Sequence, residues 1–112
     1  MNKTISLWVG SLALLASSTA LAKMSTTDLD AARASFQTAG CSSCHAISGK
    51  AAGPSLKAIA KRYKGKPAAS ELAQRIRLGS QGRWGDLPHP AMESLDEQEA
   101  ARMAEWILGG AR

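Results

Sequence analysis

This 112-residue chain has few of the residues that build large cores or covalent frameworks. It contains one phenylalanine, one tyrosine, three tryptophans and only two cysteines. Two cysteines exclude both the multi-disulfide framework of small secreted domains and the four-cysteine type of structural zinc site. No run of residues predicts a convincing strand, and no repeat or low-complexity linker divides the chain. A single short domain with so few aromatic side chains indicates that a cofactor helps to hold the fold.

Both cysteines lie in one motif, Cys41-Ser42-Ser43-Cys44-His45, which reads C-x-x-C-H. This is the attachment pattern of a c-type haem, in which the two thiols bind the porphyrin and the histidine binds the iron. A thioredoxin-like pair would need a βαβ context, and a structural zinc site would need four ligands. A plain disulfide in an exported protein is a further alternative. The motif therefore predicts one covalently bound haem c.

The N-terminus has the pattern of a secretory signal peptide. Lys3 supplies a positive charge, residues 5–16 are mostly apolar, and Ala20-Leu21-Ala22 is an A-x-A cleavage site. The apolar run is short for a membrane span, which needs about 20 residues, so an uncleaved anchor is the weaker interpretation. We expect residues 1–22 to be removed and residues 23–112 to form one domain in the periplasm, without stable membrane insertion.

The charges of the chain are distributed unevenly. The formal net charge is +5, and five bases fall within ten positions without an acid among them, namely Lys57, Lys61, Arg62, Lys64 and Lys66. Acids collect instead in the C-terminal third. Such an asymmetry can steer an acidic protein partner, although it also fits a solvated helix face. The basic stretch has one aromatic residue and no recognisable binding motif, so we do not expect nucleic-acid binding.

Glycines and prolines separate four segments of helical spacing, which predict an all-α fold. The first helix is capped by Thr26 or Thr27 and ends at Gly40, directly before the haem motif. Ser70 caps the third helix, and Leu78 is among the residues expected to face inward. The second helix is expected over 55–63 and the last from residue 96 onward.

The order of these parts resembles a class I cytochrome c, most closely the small bacterial 551/552-type cytochromes. The matching segments span the mature chain in order and are Gly40 to Ile47, Gly53-Pro54-Ser55-Leu56-Lys57, Glu71 to Ile76, Gly79-Ser80-Gln81-Gly82, Trp84-Gly85 and Trp106-Ile107-Leu108. The resemblance implies about four helices wrapped round one haem c, in an electron-transfer protein rather than an enzyme. It also implies that Phe36 and Trp106 pack the first helix across the last.

The resemblance assigns further roles around the cofactor. His45 would be the proximal iron ligand, and the backbone carbonyl of Pro54 would accept a hydrogen bond from its other ring nitrogen. Arg75 and Trp84 would contact the haem propionates. Without the resemblance, Arg75 reads as a solvated helix residue and Trp84 as part of the core.

The chain departs from the family pattern at the distal ligand. The family loop runs Trp-Gly-x-x-Pro-Met-Pro, whereas this chain has His89 in the place of the methionine and Met92 three residues later. The methionine ligand of class I cytochromes c favours Met92, whose thioether would raise the reduction potential. Counting positions from Trp84 along the loop favours His89, which would give a bis-histidine haem of lower reduction potential. We take Met92 as the distal ligand and keep His89 as its alternative.

These features predict a periplasmic one-electron carrier whose iron cycles between Fe(II) and Fe(III). Its partners would be redox proteins, such as a donor dehydrogenase or cytochrome complex and an acceptor oxidase or reductase, and we expect a monomer. One alternative is a haem c subunit of a periplasmic oxidoreductase. Another is a haem protein that binds a small ligand. This alternative is less favourable, because two side chains are available as distal ligands.

Overall fold

The computed structural model describes residues 23–112, so the predicted signal peptide lies outside the described residues. This part of the chain forms four α-helices: α1 (Thr26–Thr38), α2 (Leu56–Arg62), α3 (Ala69–Leu78) and α4 (Glu97–Leu108). A 3₁₀ turn (Cys41–Ser43) follows α1. The only β pairing within residues 23–112 is one antiparallel bridge between Ser80 and His89. The all-α prediction is confirmed, and none of these helices is long and apolar enough to cross a bilayer.

Helix α4 is the central element, because it packs against α1, α2 and α3. It begins with a capping box in which the Asp96 carboxylate accepts from the Glu99 N–H at 2.7 Å. The Glu99 carboxylate accepts in return from the Asp96 N–H at 3.0 Å. These two bonds satisfy N–H groups that would otherwise be left without partners at the helix start. The buried face that α4 then presents consists of Ala100, Met103, Ala104, Trp106 and Ile107.

An aromatic pair joins the first helix to the last. The rings of Phe36 and Trp106 lie edge to face, with centroids 5.5 Å apart and planes at 69°. Both side chains are buried, and such pairs contribute about 0.5–1.5 kcal/mol beyond the area that they bury. The predicted packing of these two residues is confirmed.

Two helix starts differ from the prediction. Ser25, not Thr26 or Thr27, caps α1, because its hydroxyl oxygen accepts from the Asp28 N–H at 3.1 Å. Helix α3 begins at Ala69 after Ala68, which offers no side-chain cap, so the assignment of Ser70 as the cap was wrong.

Leu78, expected to face inward, is instead 74% exposed. It follows Ile76 by two positions, and residues two apart on a helix point to opposite sides. Because Ile76 is buried, Leu78 must point outward. The inward assignment of Leu78 was therefore wrong.

The long segment from residue 80 to residue 94 is irregular but anchored to the end of α3. Ser80 and His89 exchange two backbone hydrogen bonds of 3.1 and 2.8 Å. The Met92 N–H lies 3.2 Å from the Ile76 carbonyl and 3.0 Å from the Arg77 carbonyl. These bonds fix the backbone at both candidate distal ligands.

Gly79 makes this return of the chain possible. Its φ of 79° and ψ of 173° lie in a region that is essentially limited to glycine. A Cβ atom at position 79 would also lie 2.7 Å from the carbonyl oxygen of His89. A side chain here would therefore strain the backbone and push the loop away.

We predict that Gly79→Ala lowers the free energy of unfolding by about 1–3 kcal/mol, since alanine must adopt a strained backbone and meet the His89 carbonyl. The measurement is denaturant unfolding of the haem-loaded protein. Gly82→Ala is the matched control, because Gly82 has a φ of 67° but a Cβ atom at its position would meet nothing within 4 Å. Equal losses in the two variants would contradict the role given to the His89 contact.

Candidate functional site

A cavity of about 310 Å³ lies among the helices and the loop, and it is the candidate site. This volume is in the range of about 300–1,000 Å³ that is usual for cofactor and ligand sites. Much of its wall is apolar, formed by Phe36, Leu56, Ile59, Ile76, Met103 and Ile107. All the site residues predicted from the sequence line this one cavity, namely Cys41, Cys44, His45, Pro54, Arg75, Trp84, His89 and Met92.

A tight turn brings the three residues of the haem motif to the cavity. Gly40 lies between α1 and the 3₁₀ turn with a φ of 78°, and the His45 N–H then donates to the Cys41 carbonyl at 2.9 Å. Both cysteine thiols are free, so the disulfide alternative finds no support. Burial raises the pKa of the Cys41 thiol, which keeps it protonated near neutral pH in the unmodified chain. Two thiols on the wall of one apolar cavity fit a porphyrin held by thioether bonds.

His45 is oriented by its own neighbours. Its Nδ1 lies 2.7 Å from the carbonyl oxygen of Pro54, and a carbonyl only accepts, so Nδ1 must carry the proton. The other ring nitrogen, Nε2, therefore keeps its lone pair for a metal, which is the usual arrangement of histidine ligands. The hydrogen bond that the resemblance implied is present in the structure.

Gly53 leaves the space that this orientation needs. A Cβ atom at position 53 would lie 2.8 Å from Cε1 of His45 and 3.2 Å from the carbonyl oxygen of Cys44. The Gly53 N–H donates to that same carbonyl at 2.7 Å. Glycine at this position is therefore required by close approach and not by backbone angle. The sequence marked Gly53 as part of a loop, but nothing in it revealed this contact.

His89 faces the same cavity from the long loop. Its ring centroid is 6.0 Å from that of His45, with the planes tilted by 40°. Burial, and then the nearby charge of His45, lower the pKa of His89 below its ordinary value, while the Pro90 backbone acts in the opposite direction. Nδ1 of His89 is buried and has no hydrogen-bond partner among the described residues. The lowered pKa keeps the His89 ring neutral. A buried polar atom left unpaired is costly, so the unpaired Nδ1 fits a site in which a further group is held in the cavity.

Met92 also reaches the cavity, and its side chain packs against the hydrophobic core. The structure thus brings both candidate distal ligands to one site. Within residues 23–112 no group of three His, Cys, Asp or Glu side chains is placed to hold a metal ion.

Charged side chains line one part of the cavity wall. Arg75 pairs with Glu71 one helical turn earlier, and its Nη1 lies 3.4 Å from the Tyr63 hydroxyl. Glu71 also accepts from Arg83 at 3.4 Å. The Arg75 side chain is only 17% exposed, so the interpretation of Arg75 as a solvated residue was wrong. Trp84, read alternatively as core, is 38% exposed.

Sequence reasoning missed three members of this group. The spacing of Glu71 and Arg75 is the i,i+4 spacing of helical ion pairs, so that pair had a signal. Tyr63 and Arg83 come from other segments of the chain, and no local pattern could have placed them beside Arg75.

The chain is similar to known cytochromes over most of its length. The family model described as Cytochrome c matches residues 29–111. Cytochrome c-551 of Pseudomonas aeruginosa is 45% identical over 74 residues, which cover 65% of this chain and 70% of that protein. Cytochrome c-552 of Nitrosomonas europaea is 37% identical over 102 residues, covering 90% and 93%. The crystal structure of wild-type cytochrome c552 of Nitrosomonas europaea matches with a TM-score of 0.66 at 35% identity, covering 70% of this chain and 98% of that one.

We predict that Gly53→Ala lowers the free energy of unfolding of the haem-loaded protein by about 1–3 kcal/mol, since the added methyl group overpacks the His45 ring. Denaturant unfolding measures the loss, and proton NMR should show displaced His45 resonances. Ala51→Ser adds one atom to the same loop at an exposed position and is the control. Unchanged stability and unchanged His45 resonances in Gly53→Ala would contradict the close approach.

Proposed function

This chain belongs to the cytochrome c family and is a small electron carrier with one covalently bound haem c, and we propose that it works in the periplasm with His45 bound to the iron. The observation that carries the proposal is the grouping of Cys41, Cys44 and His45 at one wall of an apolar cavity. The hydrogen bond from His45 to Pro54 leaves Nε2 available as a ligand.

The haem, when bound, supplies the one-electron chemistry, and the protein sets its surroundings. Cys41 and Cys44 tether it, while the Pro54 carbonyl holds the His45 ring in one orientation and raises its basicity. The apolar wall excludes water, and a low-polarity environment is one of the means by which proteins tune reduction potentials. Arg75 and Trp84 contact the propionates in this proposal, which agrees with their positions on the cavity wall.

We propose His89 as the distal ligand, although the class pattern favoured Met92 at the sequence level. Two imidazoles that bind one metal through facing nitrogens have centroids about 6 Å apart, because metal–nitrogen bonds are close to 2 Å. The 6.0 Å between His45 and His89 agrees with this value. The lowered pKa of His89 also favours the neutral ring that a ligand requires. Met92 is the alternative against which the proposal is tested.

Redox proteins with acidic surfaces are the partners that we propose. The five bases at positions 57, 61, 62, 64 and 66 are all exposed, so the basic stretch presents its charges to solvent along and beyond α2. A haem subunit of a periplasmic oxidoreductase would use the same surface, and co-purification with an enzyme would distinguish it from a free carrier. The two side chains available as distal ligands argue against a protein that binds a small ligand.

The distal ligand can be tested by absorption spectroscopy of the oxidised protein and of the His89→Ala and Met92→Ala variants. We expect no weak far-red band of iron bound to methionine sulfur, and we expect His89→Ala alone to lose the low-spin spectrum. A far-red band that disappears in Met92→Ala would contradict His89 and establish Met92 as the ligand.

The export of the protein can be tested by mass spectrometry of the periplasmic fraction. We expect a species with the mass of residues 23–112 plus one haem, since the signal peptide would be cleaved after Ala22 and the cofactor attached after export. The control is the Cys41→Ala, Cys44→Ala double variant, which should be exported and cleaved but should lack the added haem mass. Recovery of the full chain from the cytoplasm would contradict both the location and the domain boundary.

A further inference from the structure

The irregular segment over residues 80–94, called here the distal loop, carries both candidate distal ligands but has few contacts of its own. Residues 81–88 are all exposed and belong to no helix or strand. Irregular segments with few buried contacts open more readily than the helices around them. The bonds that tie the second half of the distal loop to the helices therefore determine how firmly it stays closed.

Arg77 of α3 holds a turn in that second half at both of its ends. The turn spans residues 92–95 and is closed by a bond of 3.1 Å from the Leu95 N–H to the Met92 carbonyl. The backbone carbonyl of Arg77 accepts from the Met92 N–H at 3.0 Å. The guanidinium Nε of Arg77 donates to the Leu95 carbonyl at 3.2 Å. One residue of α3 thus binds both the first and the last residue of the turn.

The bond from Arg77 to Leu95 has no replacement close by. Leu95 precedes Asp96, the cap of α4, so its carbonyl lies outside the hydrogen-bond ladder of that helix. Among the described residues, no other side chain donates to the backbone of residues 84–95. Because a guanidinium is charged, its hydrogen bond is also stronger than one between neutral groups.

The other side-chain contact of Arg77 is weaker. Its Nη1 lies 3.2 Å from a carboxylate oxygen of Glu97, in the first turn of α4. The two side chains are 36% and 83% exposed, and ion pairs this open to solvent contribute little. Arg77 does not line the haem cavity, so an effect of this residue on the iron must pass through the distal loop.

We propose that Arg77 is a positioning residue that keeps the distal loop closed and thereby slows the release of the distal ligand from the iron. Met92 belongs to the turn that Arg77 holds, and His89 lies three residues before it. The inference therefore applies to either ligand. It rests on the proposed function in one respect, namely that a side chain of this loop binds the haem iron.

The test measures cyanide binding to the oxidised, haem-loaded protein by stopped-flow absorption. Cyanide takes the position that the distal ligand leaves, without electron transfer, so the rate at saturating cyanide is the rate at which that ligand is released. We expect Arg77→Met, which keeps an apolar stem but removes every donor, to raise this limiting rate by about tenfold, the effect of one lost charge-assisted hydrogen bond. Hydrogen exchange followed by mass spectrometry should be faster over residues 84–95 in the same variant.

Two variants separate the Leu95 bond from the charge of Arg77. Glu97→Gln removes the ion pair but keeps the Leu95 bond, so the limiting rate should change by less than about twofold. Arg77→Lys keeps the charge but lacks the planar fork of arginine, so it should reverse only part of the acceleration. Complete reversal by Arg77→Lys, with Glu97→Gln as fast as Arg77→Met, would overturn the proposal, because the ion pair would then explain the effect.

Two control variants on α1 separate a local effect on the loop from general effects. Ser25→Ala removes the cap of α1 and so lowers overall stability without removing a bond of the loop. Arg33→Met removes the same charge from an exposed arginine that pairs with Asp30. Both controls should release the distal ligand at the wild-type rate.

Two outcomes would overturn the role of Arg77 alone. One is a limiting rate in Arg77→Met equal to that of the wild type, and the other is an equal acceleration in Arg77→Met and in either control. A wild-type rate that rises with cyanide concentration without reaching a limit would instead contradict the proposed function, since no side chain would then occupy the distal position, and the inference would fall with it.

Discussion

The fold is organised around an apolar cavity that occupies the place where a domain of this size would have its core. Small domains bury a modest fraction of their surface and are marginal without additional support. Here α4 packs on the other three helices, yet Met103 and Ile107 on its inner face also line the cavity. A covalently bound haem would supply an apolar plate for these side chains to contact, so the cofactor would be both the functional group and part of the core.

The two sides of the cavity are held by different means. On one side, the turn at Cys41–Ser43 and the space left by Gly53 orient His45 within a short stretch of sequence. On the other side, His89 lies in a long irregular loop, which is positioned by hydrogen bonds to the end of α3 and by the conformation of Gly79. The first side is therefore encoded locally, whereas the second depends on contacts formed when the loop packs against the finished helices.

This difference explains what could be predicted from the sequence. The C-x-x-C-H motif, the Pro54 hydrogen bond and the contact between Phe36 and Trp106 carry local patterns or match the family. The cap at Ser25 was missed because neighbouring serine and threonine residues are nearly equivalent caps. The inward placement of Leu78 failed because Leu78 lies two positions after the buried Ile76 on the same helix and so points to the opposite side. The contacts of Arg83 with Glu71 and of Arg62 with Trp84 join segments far apart in sequence, and no periodicity or motif records such pairs.

We propose that His45 and His89 would together hold the iron. The most direct measurement is electron–nuclear double resonance on the frozen ferric protein grown with ¹⁵N-labelled histidine. We expect two strongly coupled imidazole nitrogens in the wild type and one in His89→Ala. One coupled imidazole nitrogen in the wild type would contradict the account and would return the distal position to Met92.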